Sequence, residues 1–388
     1  MKGSVNGVYC LRRRAGRALA RTLAAGLLAA NMFAALPAAA SADGYDLSAP
    51  AAVGKVLPND WHISPAGSQV TLGNLPTNGV LSPDGRYLAV TNNGCTTKTE
   101  EVSIVDLKTG AKVSSAQVNS SFIGLAFNKT GDRLYVSGGN DGKIYIFSFQ
   151  GGTLTTAGAV PVPNYPAGLA LLPDGKLAVA ENMGDKIALV DPGAGKITAE
   201  IPVGRYPYQV TVSRDGKVIY VSNWGSGSVS VVDPAKKTES RQIATGKLPE
   251  ALVLSADGGR LYVANTNSDN VSVIDPAAGK VVRSIDLHFK GLPAGAAPTG
   301  LALSPDGGRL YVSLAGANAD AVVDPASGKV AGYIPAGWYP TGVLYNAVLN
   351  QVITLNGKGL GTGPNPDGPK PGTNAPNQSQ YDYNMITI

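Results

Sequence analysis

The stretch GLALSPDGGRLYV, residues 300–312, returns along the chain as GVLSPDGRYLAV (79–90), GLAFNKTGDRLYV (124–136), GLALLPDGKLAV (168–179), QVTVSRDGKVIYV (209–221) and ALVLSADGGRLYV (251–263). Measured between the turn glycines Gly85, Gly131, Gly175, Gly216, Gly258 and Gly307, the period stays in the forties. A period of that length belongs to blades or stacked arrays rather than to independent domains.

Within one unit, short apolar runs alternate with turn chemistry. From residue 298 the runs are 301–303, 309–312, 321–323 and 329–334, separated by Pro305-Asp306-Gly307, a polar loop, and Asp324-Pro325-Ala326-Ser327-Gly328. Asp and Gly at these places are turn residues, because Asp bonds its own backbone and Gly accepts a positive φ. The second turn recurs at Asp106, Asp191, Asp233 and Asp275. Each unit therefore reads as four antiparallel strands. A small sheet that is apolar on both faces has to be covered by its neighbours, and a closed ring does this for every copy.

The two ends set the number of blades. GVLYNAVLNQVITLN (342–356) is a degenerate seventh copy, followed by one more strand-like segment at 384–388, which leaves that blade one strand short. SPAGSQVTLG (64–73) carries a fourth-strand pattern with no first three strands ahead of it. The expectation is an all-β, seven-bladed β-propeller of four-stranded antiparallel blades, its last blade completed by the N-terminal strand.

Residues 1–42 read as an export leader: Lys2, Arg12, Arg13, Arg14, Arg17 and Arg21 precede an apolar run that ends at Ala40-Ser41-Ala42. The arginine cluster points toward twin-arginine export. A mature chain from residue 43 to 388 is then a single propeller domain, periplasmic or secreted, and probes of its size would find a monomer. Removing six of the 32 basic residues and none of the 27 acidic ones turns the formal charge from +5 to −1. No basic field remains to draw nucleic acid or anionic lipid. Cys10 leaves with the leader, so Cys95 has no partner for an internal disulfide.

Because strand direction alternates, the two Asp-Gly turn types share one face of the disk. The other face carries the loops that lead into each first strand and those between second and third strands, and it is the expected binding face. Before the first strands stand Pro76, Tyr165-Pro166, Arg205-Tyr206-Pro207, Lys247-Leu248-Pro249, Pro298 and Trp338-Tyr339-Pro340. Between second and third strands stand Asn92-Asn93, Asn140-Asp141, Glu181-Asn182, Asn223-Trp224, Asn265 and Asn356. One reading makes the prolines and asparagines structural, recurring because the blade recurs. The other gathers Tyr165, Arg205, Tyr206, Trp224, Trp338 and Tyr339, with Asn93, Asn182, Asn223 and Asn265, into a ligand-binding rim, since aromatics with polar tips suit a partly wet contact.

Signals of catalysis are thin. His62 and His288 are the only histidines, and haem-attachment, zinc-protease and nucleophile-elbow motifs are missing, so no catalytic residue, metal or cofactor is expected. Glu181 with the neighbouring amides is the one candidate cation site. The segment 357–380, rich in Gly and Pro, lacks the ending of a phosphate loop and reads as a long loop of the seventh blade.

The phrases LAVTNN (88–93), IYVSNWGSGSVSVVDP (219–234) and LYVANTNSDNVSVIDP (261–276) resemble the YVTN-repeat, YncE-like propellers. SPAGSQVTLGNLPTNGVLSPDGRYLAVTNNG, GWYPTG and LNGKGLGTGPNPDGP resemble more closely the propeller half of secreted proteins in which an alkaline-phosphatase-superfamily phosphoesterase domain follows. The sequence ends at Ile388, where that domain would be reached, so none of its metal ligands or its nucleophile carries over. The resemblance implies a binding or scaffold module for a protein or cell-envelope partner, accessory to a phosphoesterase. Propellers of related repeat type also imply two rivals: a lactonase-like hydrolase built on Glu181, and an aromatic rim that binds single-stranded nucleic acid, against which the near-neutral mature charge argues.

Overall fold

The structure is a computed structural model that describes residues 55–56, 62–94, 100–288, 295–359, 362–363, 380–381 and 385–387. The proposed leader, Cys95 and most of 357–380 lie outside the described residues.

Seven four-stranded antiparallel sheets make up the fold. Blades 1 to 6 are each continuous in sequence, with innermost strands Pro76–Leu81, Leu125–Phe127, Pro166–Leu171, Pro207–Val212, Pro249–Leu254 and Pro298–Leu303. Blade 7 is assembled from Pro340–Asn346, Gln351–Asn356, the C-terminal Met385–Thr387 and, outermost, the N-terminal Gln69–Thr71. In that closure Gln69 faces Thr387, Val70 faces Ile386 and Thr71 faces Met385. The Thr387 hydroxyl also donates to Gln69 Oε1 at 2.7 Å. The ring thus closes across the two ends of the chain, as the one-strand deficit of the last repeat requires, and the protein is a seven-bladed β-propeller.

The repeated phrase is explained by the turn it builds. In blade 6 the Ser304 hydroxyl donates to Asp306 Oδ1 (2.5 Å), Asp306 accepts from the Gly308 N–H (3.0 Å), and Ser304 Oγ accepts from the Arg309 N–H (2.9 Å). Gly307 sits at φ +69°, where a β-carbon would be strained. The same device recurs with Ser82 and Asp84, Ser213 and Asp215, and Ser255 and Asp257. It satisfies backbone groups that a tight hairpin would otherwise leave to solvent.

Second and third strands are apolar on both faces because each blade is covered on both sides. One apolar cluster fills each seam, for example Ala178, Ile187, Val210 and Ile219 between blades 3 and 4, and Val70, Ile386, Leu88 and Val90 where blade 7 meets blade 1. Outer strands alternate exposed and covered residues, as Lys196–Pro202 does, since their far side meets water.

Candidate functional site

One face of the ring is built by a clamp that repeats in six of the blades. The segment leading into an innermost strand is tied to the loop between the second and third strands of the same blade by two backbone hydrogen bonds. The Trp224 and Gly225 N–H groups donate to the Tyr206 and Arg205 carbonyls, each at 3.0 Å. In blade 7 Gly357 and Lys358 donate to Tyr339 (2.9 Å) and Trp338 (3.0 Å), and in blade 3 Asn182 and Met183 donate to Tyr165 (3.1 Å) and Asn164 (3.0 Å). The residue before each proline is held at positive φ: Leu75, Tyr165, Tyr206, Leu248, Ala297 and Tyr339. Side chains with a β-carbon adopt that conformation at a cost, so it persists only where surroundings enforce it. The preceding blade supplies part of the enforcement, since Asp185 accepts from the Tyr206 N–H (2.9 Å), Asp269 from Ala297 (2.9 Å) and Asn318 from Tyr339 (3.0 Å).

This clamp aims aromatic side chains at the channel mouth. Tyr206 meets Trp224 edge-on with ring centroids 6.5 Å apart, and Tyr206 is 46% exposed. Arg205 is exposed beside them, its guanidinium 3.4 Å from the Gly225 carbonyl. In blade 7 the Lys358 ammonium lies 5.1 Å from the Trp338 centroid and 4.5 Å from that of Tyr339, a double cation–π contact. Burial of Lys358 pulls its pKa down. Tyr165 sits apart from these, packed edge-on against Phe122 (5.1 Å), which also meets Tyr208 (5.7 Å).

The amides expected on the rim take other places. Asn223 and Asn265 are the last residues of their second strands and fully buried. Asn223 Nδ2 donates to Ser230 (2.7 Å) and Ser228 (3.1 Å), and Asn265 Nδ2 to Ser272 (2.8 Å) and Asn270 (2.7 Å), all within the same blade. Asn92 and Asn356 repeat the pattern with Ser103 and Thr387. In blades 4, 5 and 7 the glycine of the G-x-x-P phrase makes room for this amide: a β-carbon on Gly204 would stand 2.6 Å from Asn223, one on Gly246 2.7 Å from Asn265, and one on Gly337 2.7 Å from Asn356. Asn182 is buried and staples blade 3 to blade 4 by donating to the Pro207 carbonyl (3.0 Å). Asn93, half-buried, accepts from Thr77 (2.9 Å) and Ser121 (3.2 Å). Glu181 is fully buried, bonded to Asn164 (3.0 Å) and 3.4 Å from Lys186, which also pairs with Glu200 at 2.6 Å. Its burial raises its pKa, with Asn164 and Lys186 opposing. Among the described residues no three His, Cys, Asp or Glu side chains come together.

Inside the mouth the innermost strands enclose a cavity of about 90 Å³, room for a few water molecules. Thr77, Ile123, Tyr208, Glu250, Thr299 and Thr341 line it from equivalent strand positions. Glu250 is the acidic member. Its enclosure pushes its pKa up to about 7, with side-chain hydrogen bonds to Trp224 and Thr266 opposing the rise. Tyr339 is raised to about 12, first by burial and then by the nearby Glu250 charge. Tyr206, Trp224, Glu250, Tyr339, Lys358 and Trp338 are therefore linked through one mouth spanning blades 4, 5 and 7. Sequence reasoning passed over Glu250; comparing the residue after each strand-opening proline would have found it, because Thr77, Ala167, Tyr208, Thr299 and Thr341 hold that place elsewhere.

Comparison with known proteins agrees with the ring. Residues 212–290 match the family model of the YncE-like β-propellers, and residues 66–224 that of the SMP-30/gluconolactonase/LRE-like region. No curated protein matches the chain significantly. Among solved structures, hydrazine synthase of Kuenenia stuttgartiensis is similar with a TM-score of 0.64 and 22% identity, covering 74% of this chain and 93% of that one, a likeness of fold. Residues 212–290 are thus similar to the YncE-like β-propellers, and the seven-bladed ring agrees with that likeness.

Proposed function

We propose that this propeller is a non-catalytic binding module, exported to the periplasm or beyond, that docks a protein partner on its aromatic face. The observation that carries the reading is a pair of exposed apolar side chains on that face in adjacent blades, Met183 at 63% and Tyr206 at 46% exposure. Asp185, two residues from Met183, bonds the Tyr206 backbone, so the two loops form one surface. Arg205 and Trp224 continue it. Met, Tyr, Trp and Arg are the residues that protein interfaces concentrate, and aromatic anchors carry most of their binding energy. The first partner to try is an alkaline-phosphatase-superfamily phosphoesterase, given the sequence resemblance to proteins that join the two. In a binding assay Tyr206→Ala and Met183→Ser are expected to weaken capture at least tenfold, with melting unchanged. Undiminished capture by both variants would sink the docking reading.

A hydrolase is the second reading, favoured by the match of residues 66–224 to the SMP-30/gluconolactonase region. Its acid–base group would be Glu250, since Glu181 is tied up with Asn164 and Lys186. A carboxyl poised near neutrality suits proton transfer. Turnover of a lactone panel, lost in Glu250→Gln, would favour this reading over docking.

A further inference from the structure

Glu250 is the channel residue that the blade repeat does not explain. At the same strand position Thr299 donates to the Pro340 carbonyl (2.9 Å) and Thr341 to the Pro76 carbonyl (2.8 Å), each stapling its blade to the next. In blade 5 the equivalent bond, to the Pro298 carbonyl at 2.7 Å, comes instead from Thr266 in the loop above. Glu250 is thereby released from the stapling role, and it lines the cavity. Enclosing a carboxyl costs free energy that a threonine would not, and such groups concentrate where a ligand meets them.

The surroundings indicate which ligand. Trp224 hydrogen-bonds the carboxyl, Tyr339 lies within its electrostatic reach, and Tyr208 lines the same cavity. Among the described residues, no lysine or arginine lines the cavity with Glu250. A carboxylate beside an aromatic ring, in a cavity that no lysine or arginine lines, is the chemistry that recognises organic ammonium groups. The small cavity limits the ligand to a compact one.

We propose that the channel neck at Glu250 is a binding site for a small alkylammonium cation, the carboxylate pairing with the ammonium and the Tyr208 ring, which lines the same cavity, taking its alkyl groups. The site adjoins the docking surface through Trp224, but the anchor Met183 lies on a loop of blade 3 and does not line the cavity. The titratable groups that face Glu250 are Tyr208 and Tyr339, and the loops of the mouth add Arg205, Lys247 and Lys358.

The test is calorimetric titration of the full chain with methylammonium chloride and tetramethylammonium chloride, against sodium chloride at equal ionic strength. Saturable binding of one equivalent is expected, tightening about tenfold between pH 6 and pH 8 as Glu250 ionises. Glu250→Gln should bind at least tenfold more weakly and lose the pH dependence. Glu250→Thr, which restores the residue of blades 1, 6 and 7, should do the same with the fold secure. A response no greater than that to sodium overturns the proposal, as does wild-type affinity, or a surviving pH dependence, in both variants. Met183→Ser should leave ammonium binding intact, so failure of this site and failure of the docking surface are told apart.

Discussion

Asn223 illustrates how one residue type can serve the blade while looking like a site. Its amide is fully buried and holds the third strand through Ser228 and Ser230, with Gly204 packed against it. Asn223→Ala should cost about 1–3 kcal/mol in chemical denaturation, because the buried serine hydroxyls lose their partner. Tyr206→Ala, at an exposed ring, should move stability by no more than about 0.5 kcal/mol. The contrast separates the two roles that the sequence left side by side: amide and aromatic stand together in Asn223-Trp224, yet one points into the blade and the other to the mouth. Spacing within a loop cannot distinguish them, since a strand that ends one residue later reverses which side chain is buried.

At the scale of the element, the seam between blades 6 and 7 differs from the other six. Asp320 stands in the third strand where blades 1 to 5 carry Val102, Ile144, Ile187, Val229 and Val271, and it is fully buried. It is paired across the seam with the Thr354 hydroxyl of blade 7. Burial pushes its pKa up to about 6, with Thr354 and Ser313 opposing. Thr354→Val alone should destabilise by about 1–3 kcal/mol, because it leaves a buried carboxyl short of a partner. Asp320→Val together with Thr354→Val restores the apolar pair of the other seams and should be neutral or stabilising. A double-mutant cycle in urea measures the coupling, and strict additivity would show that the pair does not interact. The repeat was readable in the sequence, and Asp320 could be seen to interrupt it. Its partner could not, because Thr354 belongs to the degenerate copy and is brought opposite only by stacking.

For the whole molecule, stability depends on pH from two directions. The turn carboxylates Asp84, Asp215, Asp257 and Asp306 are held below the usual aspartate range, first by their serine hydroxyls. A depressed folded pKa adds stability above the unfolded value that is lost as pH falls through the folded one. Glu250 and Asp320 act oppositely: burial lifts their folded values to about 7 and about 6, above the ordinary carboxylate range. The stability they contribute is full below the unfolded values and is lost as pH rises through the folded ones. Melting temperature should therefore peak in mild acid, near pH 4 to 5, and decline toward pH 8. Glu250→Gln combined with Asp320→Asn should flatten that decline, and an unchanged slope would refute the assignment. Closure is the other property of the whole: Ile386 is fully buried in the short C-terminal strand, and Ile386→Ala should cost about 2–5 kcal/mol despite its place near the chain end. By itself the sequence determined the blade, the period and the closing of the last sheet by the first strand, because turn residues and alternating apolar runs act over a few neighbours. Only the tertiary structure decided that Trp224, Glu250, Tyr339 and Lys358 share one mouth and that the asparagines do not. Those residues come from blades 4, 5 and 7, and the curvature of the ring, which no local pattern encodes, sets which side chains meet.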